Sequence, residues 1–286
     1  MLLSKWNDYE LIDTSNGEKY ERWGKYYLVR PDPSIIWDKG NLKDKYKGKI
    51  DAFYTRSSTG GGAWTNIKGV PASWTVKYNE LSFNIKQMGF KHTGLFPEQA
   101  VNWDFYIDKI KKANRDIKVL NLFAYTGGAT CACMKAGAHV THVDSSRGMT
   151  DWAKENVKLN NLDETKVRYI VDDVVKFVNR EIRRGNKYDA IIMDPPSYGR
   201  GANKEVWDIE KDLFNLVSLC TEILSDKPLF FVINTYTTSL SKEVFTNILR
   251  TTMNKYKGVI NSDEVGLLDK DEFILPCGVC SRWEAK

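Results

Sequence analysis

From residue 117 onward the chain alternates short apolar runs with amphipathic stretches of helical period, and that alternation leaves few folds open. The runs KVLNLF (118–123), HVTHVD (139–144), VRYIV (167–171), YDAIIMD (188–194) and PLFFVIN (228–234) read as strands. Between them, GGATCACMKAG (127–137), RGMTDWAKENVKLNN (147–161), DVVKFVNREIRRG (173–185), WDIEKDLFNLVSLCTEIL (207–224) and SKEVFTNILRTTMNK (241–255) read as helices. Strands that carry little polar alternation must be covered on both faces, which implies a doubly wound, mostly parallel sheet. The last segments, GVINSDEVGLL (258–268) and FILPCGVCSRW (273–283), read as a closing antiparallel hairpin.

Upstream of about residue 105 the pattern is short-stranded and turn-rich, with Trp6, Trp23, Trp37, Trp64, Trp74 and Trp103 among its aromatics. YYLVR (26–30), ASWTVKY (72–78) and LSFNIKQM (81–88) read as strands, and STGGGAW (58–64) and RPDPS (30–34) as turns. The expected organisation is a small β-rich domain over 1–88 and an α/β domain over 89–286, and 286 residues suffice for both. No apolar run reaches the roughly 18 residues of a membrane span, and MLLSKWNDYE lacks the pattern of a secretory signal. Five cysteines, an odd number, fit a reducing compartment, so a cytoplasmic location is expected. Cys277 and Cys280 form a lone CxxC, read as two small residues of a buried hairpin, and His92, His139 and His142 form no metal cluster, so no metal is expected.

In an open parallel sheet, ligands collect beyond the carboxyl ends of the strands. After the first such strand stands Ala124-Tyr125-Thr126-Gly127-Gly128, either a tight βα turn or a place where backbone and helix N-terminus approach a carboxylate. The dinucleotide pattern GxGxxG is absent. After the second strand, Asp144 is placed either to accept two ribose hydroxyls or to cap the next helix, with Ser145 beside it. After the third, one of Asp172 and Asp173 can accept an adenine amino group while the other caps; Asp173 is the preferred adenine ligand. After the fourth comes Asp194-Pro195-Pro196-Ser197-Tyr198, where two prolines stiffen the loop, leave its carbonyls as acceptors and set an aromatic where a flat base can stack.

NLFAYTGGAT (121–130), HVDSS (142–146), ENVKLNNL (155–162), VDDV (171–174) and DPPSYGRG (194–201) resemble the S-adenosylmethionine-dependent methyltransferases that include the bacterial large-subunit ribosomal RNA cytosine-C5 and guanine-N7 enzymes. The resemblance runs from about 85 to 286 and takes in FKHTGLFPEQAVNWDF (90–105) and LPCGVCSRW (275–283). It implies a Rossmann-like class I methyltransferase sheet with a C-terminal antiparallel hairpin, and S-adenosyl-L-methionine as cofactor. It also implies that Phe123, Ala124, Tyr125, Thr126 and Gly127 shape the cofactor pocket, that Asp144 holds the ribose and Asp173 the adenine, and that Asp194 sits beside the transferred methyl. Lys91, Thr93 and Gln99 lie in a segment that is either a lid over the pocket or a linker. The implied substrate is a base in RNA, ribosomal RNA first.

Two features depart from that pattern. The cytosine-C5 enzymes carry a nucleophilic cysteine just after the fifth strand, where this chain has Asn234-Thr235-Tyr236-Thr237-Thr238. Transfer to a nitrogen or oxygen needs only an aligned lone pair, which Asp194, Asn234 and Tyr198 can help orient. The first 85 residues also show no match to the PUA-type RNA-binding domain of the cytosine enzyme. Lys43, Lys45, Lys47 and Lys49 would share one face of a strand, serving either phosphate attraction or protection of a sheet edge. Net charge, only +5, permits a nucleic-acid partner without demanding one. Three functions stay open: an RNA base methyltransferase, a methyltransferase of proteins or small molecules, and a non-catalytic cofactor- or RNA-binding module.

Overall fold

The computed structural model describes residues 1–3, 6–57, 61–200, 206–236 and 240–286. They form two compact units, Met1–Val101 with Gly266–Cys277, and Asn102–Val265 with Gly278–Lys286. The expected border at 88 thus differs from this division, which begins the second unit inside a helix and gives the hairpin tip to the first.

The first unit is built on β1 (Tyr9–Ser15), β2 (Glu18–Trp23), β3 (Tyr26–Pro31), β4 (Ala52–Arg56) and β5 (Gly62–Asn66), paired in that order. Within this sheet β3 and β4 pair parallel and the other neighbours antiparallel. A separate hairpin pairs β6 (Ser73–Tyr78) with β7 (Leu81–Lys86). Aromatic residues fill much of the interior: Trp6, Tyr9, Trp23 and Tyr78 pack tilted or edge to face, at centroid distances of 4.6 Å for Tyr9–Trp23 and 5.1 Å for Trp6–Tyr78. Beneath them Glu21 and Arg30, both buried, form a two-point ion pair, with Nε–Oε2 at 2.7 Å and Nη2–Oε1 at 2.9 Å.

Two expectations for this unit are corrected. The lysine-rich segment is no strand. Asn41 accepts from the Lys43 and Asp44 amides and starts the short helix α1 (Leu42–Lys45), whose lysines face acids: Lys43 Nζ lies 2.6 Å from Glu18 and Lys45 Nζ 2.6 Å from Asp13. Of the expected turn at 58–64, Gly62–Trp64 belong to β5, where Tyr54 pairs with Trp64; Ser58, Thr59 and Gly60 lie outside the described residues.

The second unit contains α2 (Ala100–Ala113), which begins in the first, followed by β8 (Lys118–Leu122), α3 (Gly128–Lys135), β9 (His139–Asp144), α4 (Arg147–Leu159), β10 (Val167–Val171), α5 (Val174–Arg184) and β11 (Ala190–Met193). Next come the small ribbon β12 (Tyr198–Arg200) and β13 (Val206–Asp208), then α6 (Ile209–Glu222), β14 (Phe230–Thr235), α7 (Lys242–Thr252), β15 (Gly258–Leu268) and β16 (Ile274–Ala285). The sheet order is β10-β9-β8-β11-β14-β16-β15, with β16 antiparallel to β14 and the pairs from β10 to β14 parallel. The order of succession reverses between β8 and β11, the kind of point beyond whose strand ends open α/β sheets bind ligands. Leu120, Leu122, Ile191, Met193, Phe231 and Ile233, two apart on three strands, point to one side and form a core with Phe177, Leu216 and Phe245 of α5, α6 and α7. The ribbon and α2 are not evident in the sequence. Trp207 and Asp208, read there as helix, form β13, and Asp208 then caps α6 by accepting from the Glu210 amide.

Candidate active site

The loop after β8 holds an unusual backbone. Phe123 and Tyr125, neither of them glycine, sit at φ of 53° and 51°, and Gly127 at 83°. Such residues stay left-handed only where their surroundings dictate it. Here the Ala124 amide donates to the Val143 carbonyl at 3.1 Å, and the Tyr125 amide to Asp144 Oδ2 at 2.8 Å. Asn156 Nδ2 donates to the Thr126 carbonyl at 2.8 Å, and the Phe123 ring lies 5.1 Å from that of Trp207. A Cβ at Gly127 would stand 2.9 Å from the Ala153 Cβ, so the loop lies directly against α4. Gly127 also caps α3 with no side-chain acceptor, whereas Ser146, Asp173 and Asp208 cap α4, α5 and α6. The N-terminus of α3 therefore offers its first amides and the positive end of its dipole to a carboxylate.

Asp144 ends β9. Its carboxylate accepts from Tyr125 through Oδ2 and from the Ser146 amide through Oδ1, the latter at 2.8 Å, which ties the two loops together. Burial raises its pKa against the lowering effect of those two amides. The helix cap is Ser146, so capping does not explain Asp144. Ser145, beside it, is exposed.

At the end of β10 the division of labour is visible. Asp173 caps α5 through Oδ1, accepting from the Lys176 amide at 2.9 Å. Asp172 accepts from the Asp173 amide at 2.8 Å and pairs with Arg180. The residue preferred from sequence as the adenine ligand is thus also the cap, engaged in capping through Oδ1.

Beyond β11, Asp194 accepts at Oδ1 from Asn234 Nδ2 at 3.2 Å. Asn234, on β14, is itself buried. The expectation that both proline carbonyls stand open is corrected, because the indole N–H of Trp207 donates to the Pro196 carbonyl at 2.7 Å. That bond and the Ile209 amide, which donates to the Ser197 carbonyl at 3.0 Å, fix the loop onto the ribbon. Pro195 is buried and Pro196 exposed; Tyr198, 55% exposed, presents its ring where a planar group could lie on it.

The structure brings Asp144, Asp173 and Asp194 to adjacent strand ends beside the Phe123–Gly127 loop, within the second unit. Lys91, Thr93 and Gln99 belong to the first unit. Burial, with Lys19, Arg30 and Arg56 nearby, pulls the Lys91 amine down to about 8, and the buried Thr93 hydroxyl has no hydrogen-bond partner. Sequence reasoning missed Trp207, Asn156 and Cys280. Cys280 lies opposite Asn234 in the β14–β16 register, and burial pushes its thiol pKa up, so it stands near Asp194 as an un-ionised thiol and no nucleophile. Thr237 and Thr238 lie outside the described residues. Among the described residues no group of three or more His, Cys, Asp or Glu is placed to hold a metal, and no helix is long and apolar enough to cross a membrane.

A family model described as S-adenosylmethionine-dependent methyltransferase matches residues 54–234. Among solved structures, a SAM-dependent methyltransferase from Agrobacterium tumefaciens is 37% identical, with a TM-score of 0.94, over 100% of this chain and 93% of that one. The ribosomal RNA large subunit methyltransferase K/L of Shewanella frigidimarina is 34% identical over 145 residues, which is 50% of this chain and 20% of that protein. The ribosomal RNA large subunit methyltransferase I of an Enterobacter species is 45% identical over 85 residues, 29% of this chain and 22% of that protein. The matches thus span about a fifth of the length of these curated relatives.

Proposed function

This chain belongs to the family of S-adenosylmethionine-dependent methyltransferases, and on that premise we propose that it methylates a base in RNA, ribosomal RNA first, in the cytoplasm. The observation that carries the reading is the Asp194–Asn234 pair with the exposed Tyr198 ring on the same loop: a hydrogen-bonding carboxylate beside a stacking surface suits a planar, N–H-bearing acceptor. The similarity to large-subunit ribosomal RNA methyltransferases supports the choice of RNA.

The residues present fit the cofactor. The uncapped start of α3 and the Phe123–Gly127 loop suit its carboxylate, Asp144 its ribose hydroxyls and Asp173 its adenine amino group, with Ser145 and Asp172 at the margins. When bound, the cofactor supplies an electrophilic methyl on a sulfonium. The protein's task is to orient the acceptor: Tyr198 stacks the base, and the Asp194 carboxylate accepts an N–H and relieves the acceptor of its proton as the methyl is taken up. A nitrogen acceptor is favoured because the cysteine-dependent C5 route has no ionised thiol at this site.

Replacing Asp144 by Ala is expected to weaken cofactor binding about a hundredfold, since hydrogen bonds to a charged group contribute roughly 1.5–3 kcal/mol each. Isothermal titration with S-adenosylmethionine reads this, and an unchanged affinity would remove Asp144 from the ribose role. For the substrate, mass spectrometry of ribosomal RNA nucleosides from a deletion strain should lack one methylated nucleoside that the parent carries. A second reading, transfer to a protein or small molecule, draws on the pairing of Lys43 and Lys45 with acids, which removes them from a phosphate-binding face. An identical nucleoside profile in both strains favours that reading instead.

A further inference from the structure

A chain of buried amides leads away from Asp194. Asn102, in the first turn of α2 and fully buried, donates through Nδ2 to Asn234 Oδ1 at 3.4 Å, and Asn234 donates through Nδ2 to Asp194 Oδ1. On its other side, Asn102 Oδ1 receives Arg282 Nε at 3.0 Å and Nη2 at 2.6 Å. The Cys280 thiol donates to the same oxygen at 3.2 Å. The antiparallel register explains the convergence. Asn234 pairs with Cys280 and Val232 with Arg282, and residues two apart on a strand share a face. The Arg282 guanidinium is further fixed over the Phe105 ring, 4.6 Å from its centroid.

The chemistry of the terminal group sets the direction of every bond. A guanidinium donates and cannot accept. Asn102 must therefore turn its carbonyl to Arg282 and its amino group to Asn234. Asn234 must then turn its carbonyl to Asn102, which leaves its amino group, and not its carbonyl, facing Asp194. Without this constraint an asparagine amide could present either end.

We infer that Asn102 and Arg282 are positioning residues for methyl transfer: through Asn234 they guarantee that the Asp194 carboxylate meets a hydrogen-bond donor. The inference deepens the proposed function, since it rests on Asp194 acting in transfer. A donor at Oδ1 holds the carboxylate in one orientation and favours its ionised form, the form that accepts an N–H from a substrate base. A carbonyl in the same place would repel the carboxylate and favour its protonation.

The decisive variant is Asn102→Asp, which is isosteric. A carboxylate at 102 still accepts from Arg282, forming an ion pair, but offers Asn234 a second acceptor. Asn234 must then turn its amino group toward position 102 and its carbonyl toward Asp194. Three measurements are made on the full chain. In nitrogen-15 spectra of the cofactor-bound protein, the Asn234 side-chain amide of the wild type should follow the titration of Asp194, a response absent in Asp194→Ala; in Asn102→Asp it should be lost. The kcat for methyl transfer should fall about tenfold or more, with cofactor affinity within about twofold and no drop in melting temperature. Arg282→Lys, still donor-only, should fall less than Arg282→Met. Wild-type kcat in Asn102→Asp, or an Asn234 amide that still follows Asp194 there, overturns the inference. If the wild type transfers nothing to RNA, the substrate reading fails on its own, and the spectra still decide the relay.

Discussion

Asp194→Ala is expected to cut kcat for methyl transfer about a thousandfold, within the range of roughly 10² to 10⁴ for loss of a positioned acid–base group. Its affinity for S-adenosylmethionine should stay within about threefold of the wild type. The asymmetry follows from the proposed division of the site. The cofactor is assigned to the ends of β8, β9 and β10, whereas Asp194 ends β11 and faces Asn234. Its loop keeps its form without the carboxylate, because the Trp207 indole and the Ile209 amide hold the Pro196 and Ser197 carbonyls. Single-turnover transfer and calorimetry separate the two quantities. A variant with unimpaired single-turnover transfer would remove Asp194 from the mechanism.

The largest effect on stability is expected in the first unit. Arg30→Met leaves Glu21, wholly buried, with the Tyr9 hydroxyl at 2.8 Å but without its guanidinium. Removing one partner of a buried ion pair costs about 3–5 kcal/mol, readable from urea unfolding at neutral pH. The pH dependence gives a second check. In the wild type burial pushes the Glu21 pKa up, but Arg30, then Lys19, outweighs it, so the folded pKa is lowered. Its contribution is therefore complete above the unfolded pKa of about 4.3 and is lost as pH falls through the folded value. In Arg30→Met burial is no longer outweighed, the folded pKa rises above the unfolded one, and folding takes up a proton. The stability gap between the two proteins should thus narrow as pH falls from 7 toward 5. Glu21→Leu combined with Arg30→Met should recover most of the loss, since the cost lies in the unpaired charge. A gap that is small at pH 7, or constant across that window, would contradict this reading of the pair.

How much of this was legible in the sequence depends on the range of the interactions. Asp144, Asp173 and Asp194 could be picked out as candidates because each follows an apolar run whose length and composition mark a buried strand, and strand ends are where an open parallel sheet binds ligands. Gly185 likewise ends α5 at a φ of 67°, as a glycine after a helical run should. At Asp144 the capping alternative falls only once the structure shows the cap to be Ser146, two residues on. Lys43 and Lys45 were misread because a pattern of alternating lysines carries no information about Glu18 and Asp13, which lie on other elements. The Pro196 carbonyl could not be known to be taken, since its donor, Trp207, read as helix. Asn102 and Arg282 gave no signal at all. Their meaning lies in a contact between positions 180 apart, and in a register between β14 and β16 that no local pattern encodes.

The most direct test of the site and its substrate together is transfer of tritiated methyl from labelled S-adenosylmethionine to ribosomal subunits, to naked ribosomal RNA and to RNA-free protein and metabolite fractions. Label should enter a base of the RNA with the wild type and not with Asp194→Ala. Label that enters only protein or metabolite fractions, or that enters RNA equally well with Asp194→Ala, would contradict the assignment.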